Sequence, residues 1–226
     1  GALDAVRESG EGFVSGLSAD GSQLNYSTYF GGSLIDSIRD AHLMQDGRIT
    51  ICGATTSDDL PVTPGCLDST IQASNQLVYS TFLPDCSSDR IVACPDGSVI
   101  VAGTSSNANF PATPGAFQSA PASAGDSDAF VLRLNPTGSA LMYATLLGGG
   151  HSEYFNNLAV DSAGRATIIG RTRASDFPTT AGSFLPNKPP PAPLLDDLIV
   201  TQLDVDGSRL IYSTYLGGVF SCGYYV

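Results

Sequence analysis

The chain has 226 residues, of which 22 are acidic and 10 basic, and its formal net charge is -12. This charge opposes binding to nucleic acid, which needs a basic surface, and no run of about 18 apolar residues is present to insert into a membrane. With 25 glycines, 14 prolines and only 14% charged residues, the composition favours short strands joined by tight turns over helices.

The first predicted elements in chain order are two strands, GFVSGL from Gly12 and LNYSTYF from Leu24. An Asp-Gly turn joins them, and their β-branched and aromatic residues are typical of a hairpin. The phrase of the second strand returns three times, as LVYSTFLPD from Leu77, LMYATLLGG from Leu141 and LIYSTYLGG from Leu210. Similar phrases at unequal intervals indicate a repeat with a constant core and variable loops.

Each repeat contains further predicted strands between these phrases. A turn followed by a β-rich run ending in Gly occurs as DGRITICG from Asp46, DGSVIVAG from Asp96 and AGRATIIG from Ala163. A Pro-containing loop follows each run, and strands of the AFVLRL type recur from Ala129 and Leu198. Since both faces of the LNYSTYF strand carry apolar or aromatic groups, the pattern predicts four-stranded units that stack face to face.

These phrases resemble the bacterial β-propeller repeat called SBBP. The last unit carries the resemblance most completely, through its segments LAVD, IIGRT, FPTTAG, DLIVTQL and YSTYLGG. The resemblance covers nearly the whole chain and implies a propeller fold and an exported bacterial protein. It implies no catalytic residues. It also implies about seven blades, whereas this sequence supplies about four.

The fold class expected is therefore all-β, a single β-propeller domain over residues 1–226 with about four four-stranded blades. Its parts are a half-blade at residues 1–32, blades near 37–82, 89–147 and 155–216, and a terminal strand at 219–226. The half-blade lacks two strands, which the chain ends can supply. Residues 2–7 are a candidate second strand, and completing the blade removes an open sheet edge.

Three alternatives are open for the terminal strand. It closes the first blade of its own chain, or it enters the first blade of a neighbouring subunit, or the chain is part of a longer propeller. Strand addition between subunits makes head-to-tail contacts, which generate rings or filaments. The candidate assembly residues are Val219, Phe220, Cys222, Tyr224, Tyr225 and Val226.

Motifs of enzymes are missing from the sequence: it contains no nucleophile elbow, Walker loop or HExxH. Asp36, Asp40, Asp89 and Glu153 fall near blade entrances, but nothing in the sequence pairs them for glycoside hydrolysis. The five cysteines form no CxxC pair, and the Asp-Gly pairs occur at hairpin positions, which favours turns over calcium sites. We therefore predict no catalytic residue, no cofactor and no metal.

One loop, GGGHSEY, is a candidate ligand site through His151, Glu153 and Tyr154. Asn25 begins an Asn-Tyr-Ser sequon and is a candidate glycosylation site. The function expected is a non-enzymatic structural or interaction propeller, extracellular or at the cell surface, with its signal removed. Its partners would be copies of itself, joined into a filament by terminal strand exchange. The alternative is a carbohydrate-binding or carbohydrate-active propeller with glycans as partners.

Overall fold

The computed structural model describes residues 10–60, 80–83, 86–188 and 196–217. Within these ranges the chain forms β-strands and no helix, which confirms the all-β prediction. The strands are β1 (Gly12–Leu17), β2 (Leu24–Phe30), β3 (Asp36–Leu43), β4 (Ile49–Thr55), β5 (Cys86–Ala93), β6 (Val99–Ser105), β7 (Asp128–Leu134), β8 (Leu141–Leu147), β9 (Glu153–Val160), β10 (Ala166–Thr172), β11 (Asp197–Leu203) and β12 (Leu210–Tyr215).

The strands form four antiparallel sheets in chain order. The first sheet contains β1 and β2, the second β3 and β4, the third β5 to β8, and the fourth β9 to β12. Within the third and fourth sheets each strand pairs with the one before it in the chain, so hairpins and loops between neighbours make every connection. The second and fourth sheets begin just after a Gly-Gly phrase.

A β-bulge recurs in the first strand of the second, third and fourth sheets. Arg39, Asp89 and Asn156 are each the extra residue between two ladder pairs, next to a pair that contains a glycine such as Gly53 or Gly103. A bulge bends its strand and redirects the neighbouring backbone groups. The bulge brings a carbonyl oxygen over the glycine, which explains why all three β-rich runs end in Gly.

The third sheet lies between the second and the fourth. Phe130 and Leu134 on one face join an apolar cluster that includes Cys52 of the second sheet. Val131, on the opposite face, joins a cluster with Ile168 of the fourth sheet. Because side chains alternate across a strand, β7 is buried along its whole length only when both faces are covered.

The first sheet contacts the second sheet through one of its faces. The amide of Asp36 donates to the carbonyl oxygen of Gly10 at 2.8 Å, and a Cβ placed on Gly12 would lie 2.8 Å from the Ile38 side chain. Val14 is on the same face as Gly12, because residues two apart share a face. The third sheet contacts the second and the fourth, as described above, so each sheet contacts the next one along the chain.

Aspartates at the hairpins hold the turns. The Asp96 carboxylate accepts the Ser98 amide at 3.0 Å, and Gly97 between them has a φ of 84°. Glycine adopts this left-handed conformation without strain. The Asp46 turn repeats the arrangement, which confirms that these Asp-Gly pairs are turn residues.

Tyr215 joins β12 to the Pro-containing loop of the fourth sheet, and we expect Tyr215→Phe to lower the free energy of unfolding by about 2 kcal/mol. The buried phenol donates to the Ala174 carbonyl at 3.0 Å and accepts the Phe177 amide at 3.1 Å. Without the Tyr215 hydroxyl, the Ala174 carbonyl and the Phe177 amide remain buried and lose this hydrogen-bond partner. Urea unfolding followed by circular dichroism measures the change. Tyr212→Phe is the control, because Tyr212 is exposed, and an equal effect of the two variants would contradict this account.

Candidate functional site

The turn that leads into the fourth sheet encloses a buried carboxyl group, that of Glu153. Its Oε2 accepts the Gly149 amide at 3.2 Å, and its Oε1 accepts the Thr172 hydroxyl at 2.5 Å. Thr172 Oγ1 in turn accepts the Ala174 amide at 2.9 Å. Glu153 is 0% exposed. The carboxyl group therefore holds the turn from inside and does not face solvent.

The turn into the second sheet has the same construction around Asp36. Asp36 Oδ2 accepts the Gly32 amide at 2.7 Å and the Ser57 hydroxyl at 3.0 Å. Thr55, which occupies the position of Thr172, donates its hydroxyl to Asp36 Oδ1. An acid at the start of the first strand and a threonine at the end of the second thus form a recurring clasp on the Gly-Gly phrase.

A second acid, Asp128 at the start of β7, approaches the Glu153 turn. Asp128 Oδ2 accepts Gln118 Nε2 at 2.8 Å and the Ala122 amide at 3.1 Å, whereas its Oδ1 is buried without a hydrogen-bond partner. A Cβ placed on Gly148 would lie 2.4 Å from Asp128 Oδ1 and 2.6 Å from Glu153 Oε2. Glycine is required here because the backbone passes between two carboxyl groups.

The same pairing of glycine with acids recurs at the other turns. A Cβ on Gly31 would meet Asp36 and Glu11, and one on Gly217 would meet Asp197. Asp36 and Glu153 are among the acids predicted from the sequence, whereas Glu11, Asp128 and Asp197 are not. A signal existed, because an acid begins or just precedes each strand of the AFVLRL type.

Burial changes the pKa of Glu153, Asp128 and Asp197. It raises the pKa of Glu153 to about 8, and it also raises the pKa of Asp128. Burial raises the pKa of Asp197 as well, although Lys188 Nζ lies 3.6 Å from its Oδ2 and opposes the shift. At neutral pH Glu153 is therefore mostly protonated, which avoids burying two negative charges beside Gly148. The role that this arrangement supports is structural: the carboxyl groups hold the backbone of the turn through hydrogen bonds.

The three residues of the predicted ligand loop point to different environments. His151 is exposed, while Glu153 is buried. Tyr154 is half-buried, and its ring lies 5.3 Å from the guanidinium carbons of both Arg171 and Arg173. The two arginines share one carboxylate, that of Asp196. The structure therefore does not bring His151, Glu153 and Tyr154 together around one surface.

The other predicted acids lie on first strands. Asp40 Oδ2 accepts the Ile91 amide of β5 at 2.9 Å and so links the second sheet to the third. Asp89 Oδ1 lies 3.9 Å from Arg39 Nη1, which joins the two bulges, and burial raises the Asp89 pKa. Both carboxylates thus make contacts between neighbouring sheets.

Among residues 10–60, 80–83, 86–188 and 196–217, no group of three or more His, Cys, Asp or Glu side chains is arranged to hold a metal ion. Cys52, Cys86 and Cys94 carry thiols. Burial raises the pKa of Cys52 to about 11, which keeps its thiol protonated and unreactive. Cys66 and Cys222 lie outside the described residues.

The predicted assembly strand, residues 219–226, also lies outside the described residues. The first sheet, which we expect to receive this strand, lies within the described residues as β1 and β2. In that sheet Asn25 is the extra residue of a bulge, because Gly16 pairs with Tyr26 and Leu17 with Leu24. Asn25 is exposed, so the candidate glycosylation site is accessible on β2.

A cavity of about 920 Å³ lies between the first three sheets. Its lining is largely apolar and includes Val14, Phe30, Ile51 and Val101. Ser80 and Leu83 also line it, and residues 61–79, which lead into them, lie outside the described part of the chain.

No family model matches the chain. No curated protein matches it either. The described part of the chain contains no helix long and apolar enough to cross a membrane.

Proposed function

We propose that this chain is a non-enzymatic, extracellular structural module of the β-propeller type whose copies associate by strand addition at the first sheet. The observation that carries the proposal is a difference between equivalent strands. β7 and β11 each pair with strands on both sides. In the described part of the chain β1 pairs with β2 alone. A sheet like the third has two more strands beyond this edge, along Gly12–Leu17, and we assign them to residues 2–7 and to a strand that a neighbouring copy adds through backbone hydrogen bonds.

The connection after β12 supports the choice of partner strand. Gly-Gly phrases lead from β2 into β3 and from β8 into β9, so each ends one sheet and begins the first strand of the next. The same phrase follows β12 and leads to residue 219. By this repetition residues 219–226 are the first strand of a following sheet. We propose that this sheet is the first sheet of a neighbouring copy, with residues 2–7 as its second strand.

The chemistry of the described acids supports a structural role over a catalytic one. Asp36 and Glu153 clasp the Gly-Gly turns, and Asp40 bonds a backbone amide of the next sheet. A catalytic pair of carboxylates must flank an accessible substrate, whereas Glu153 is fully buried. The carbohydrate alternative gains no specific observation, because His151 and Tyr154 do not converge with Glu153.

Removal of residues 219–226 is expected to abolish self-association. The intact protein should form species of higher mass as its concentration rises through the micromolar range, because donor and acceptor are different surfaces. The deletion variant should remain a monomer and should bind a synthetic peptide of sequence VFSCGYYV. Light scattering after size exclusion and electron microscopy measure the assembly.

Two controls separate strand addition from other causes. Cys222→Ser keeps the strand and removes the thiol, so it should assemble like the intact protein, and a scrambled peptide should not bind. Intact protein that stays monomeric at all these concentrations would overturn the proposal. Unchanged assembly of the deletion variant would overturn it as well.

A further inference from the structure

We infer that the outer face of the first sheet and the outer face of the fourth sheet form one head-to-tail joint between copies of this chain. The inference rests on the proposed function and names the surfaces that the copies bring together. The head face consists of Phe13, Ser15, Leu17, Leu24, Ser27 and Tyr29. The tail face consists of Thr167, Ile169, Leu198, Val200, Tyr212 and Leu216.

The third sheet shows what covers a head face inside the molecule. In the aligned phrases GFVSGL and AFVLRL, Phe13 corresponds to Phe130 and Leu17 to Leu134. Phe130 is 0% and Leu134 3% exposed, in an apolar cluster with Phe110 of the loop after β6 and Cys52 of the second sheet. Phe13 is 66% and Leu17 60% exposed. The head face thus has the apolar side chains of a face that is buried in the third sheet, but in the first sheet they are exposed.

A pair of hydroxyl groups on the head face also has a buried counterpart. Ser15 Oγ and Ser27 Oγ lie 2.7 Å apart on adjacent strands. At the corresponding positions of the fourth sheet, Thr201 Oγ1 and Ser213 Oγ lie 2.8 Å apart, and both residues are 0% exposed. Hydroxyl groups that bond each other can be buried at low cost. The Ser15–Ser27 pair is therefore compatible with a covered face.

The tail face has the complementary counterpart in the third sheet. Val131 and Ala102 pack against the fourth sheet, and the same positions of the repeat in the fourth sheet are Val200 and Ile169. Tyr143 is likewise buried in that joint, whereas its counterpart Tyr212 is 38% exposed. The joint between the third and fourth sheets is thus a template in which a tail-type face covers a head-type face.

A second copy of the chain can cover either face, because its tail face can pack on a head face and its head face on a tail face. Contiguous exposed apolar residues mark an interaction surface, and these two faces are of the two types that pack together between the third and fourth sheets. Such a pair makes heterologous contacts that propagate from copy to copy. β12, which carries Tyr212 of the tail face, is followed in the sequence by residues 219–226. One neighbour can therefore supply both the covering face and the added strand.

Two variants with opposite defects test the joint. The head variant is Phe13→Lys with Leu17→Lys, and the tail variant is Val200→Lys with Tyr212→Lys. Each alone should lose self-association by at least about 100-fold, because a lysine in an apolar joint is buried without a partner. An equimolar mixture should form a dimer, since one intact head face and one intact tail face remain. Lysine on both broken faces keeps them from pairing.

The readouts are native mass spectrometry and light scattering, with circular dichroism to check that each variant folds. Met142→Lys is the matched control, because Met142 is 51% exposed and lies on neither face; it should assemble normally.

A mixture that stays monomeric overturns the inference. Melting temperatures that fall in both variants, without dimer in the mixture, would instead indicate a ring closed within one chain. Face variants that assemble normally while the 219–226 deletion does not would overturn this joint and leave strand addition standing.

Discussion

Replacing Gly103 with alanine is expected to lower the free energy of unfolding by about 3 kcal/mol or more. A Cβ at this position would lie 2.0 Å from the Ser87 carbonyl oxygen, beside the bulge at Asp89. The clashing atom is backbone, so rotation of a side chain cannot relieve it. β6 cannot shift easily because it also pairs with β7. In a chain of this size the melting temperature should fall by roughly 10 °C.

Two other glycines provide a graded comparison. At the equivalent position of the fourth sheet, a Cβ on Gly170 would lie 2.8 Å from the Tyr154 carbonyl oxygen, so Gly170→Ala should cost less. Gly150→Ala is the control, since its nearest neighbour is a carboxylate oxygen of the Asp176 side chain at 3.2 Å. The chain has no tryptophan, so far-UV circular dichroism is the probe. Equal melting temperatures for Gly103→Ala and Gly150→Ala would contradict this account.

The protein is expected to lose stability as the pH rises from about 5 to 8, and Glu153→Gln should remove part of that loss. The folded-state pKa of Glu153 is about 8, raised by burial from an ordinary value of 4.5. Between these values the folded state holds a proton that the unfolded state has released. Stability therefore falls with pH, by up to about 1.4 kcal/mol per pH unit, and roughly 3 kcal/mol is expected across the window.

Glutamine preserves the shape of the side chain and cannot ionise. Its carbonyl oxygen can accept the Gly149 amide, and its amide can donate to Thr172 Oγ1. Urea unfolding at several pH values should give similar stabilities for the two proteins near pH 5 and a more stable variant near pH 8. Because other buried acids contribute to the wild-type slope, the difference between the two curves isolates Glu153.

Asp59→Asn is the control for this pH experiment. Asp59 is exposed and accepts the Ser33 amide at 2.7 Å, and this hydrogen bond lowers its pKa. Its titration therefore falls below the window, and the slope between pH 5 and 8 should not change. A Glu153→Gln protein with the wild-type slope would show that Glu153 does not carry the effect.

Local pattern was enough to predict most of the strands and the turns of the described chain. The β-branched runs ending in Gly became β4, β6 and β10, and the tyrosine phrases from Leu24, Leu141 and Leu210 became β2, β8 and β12. Asp96 and Asp46 hold hairpins, as their spacing to glycine predicted. These features depend on residues close in sequence, whose alternation and turn preferences can be read directly.

The partners of the acids could not be predicted in this way. Glu153 belongs to the loop chosen as a ligand site, but it binds Thr172 in the next strand and lies near Asp128 in the preceding sheet. A carboxyl group looks the same in sequence whether it faces solvent or is buried. Its role depends on which distant backbone and side chains surround it.

By itself the sequence determined that this protein is all-β, built from repeated hairpins with both faces of its strands apolar. Only the tertiary structure decided which of those faces are covered, because burial depends on the neighbouring sheet and not on the strand. Phe13 and Phe130 occupy the same position in the same phrase, yet one is 66% exposed and the other 0%. The repeated sequence gives the first and third sheets the same apolar face, but that face is buried in the third sheet and exposed in the first.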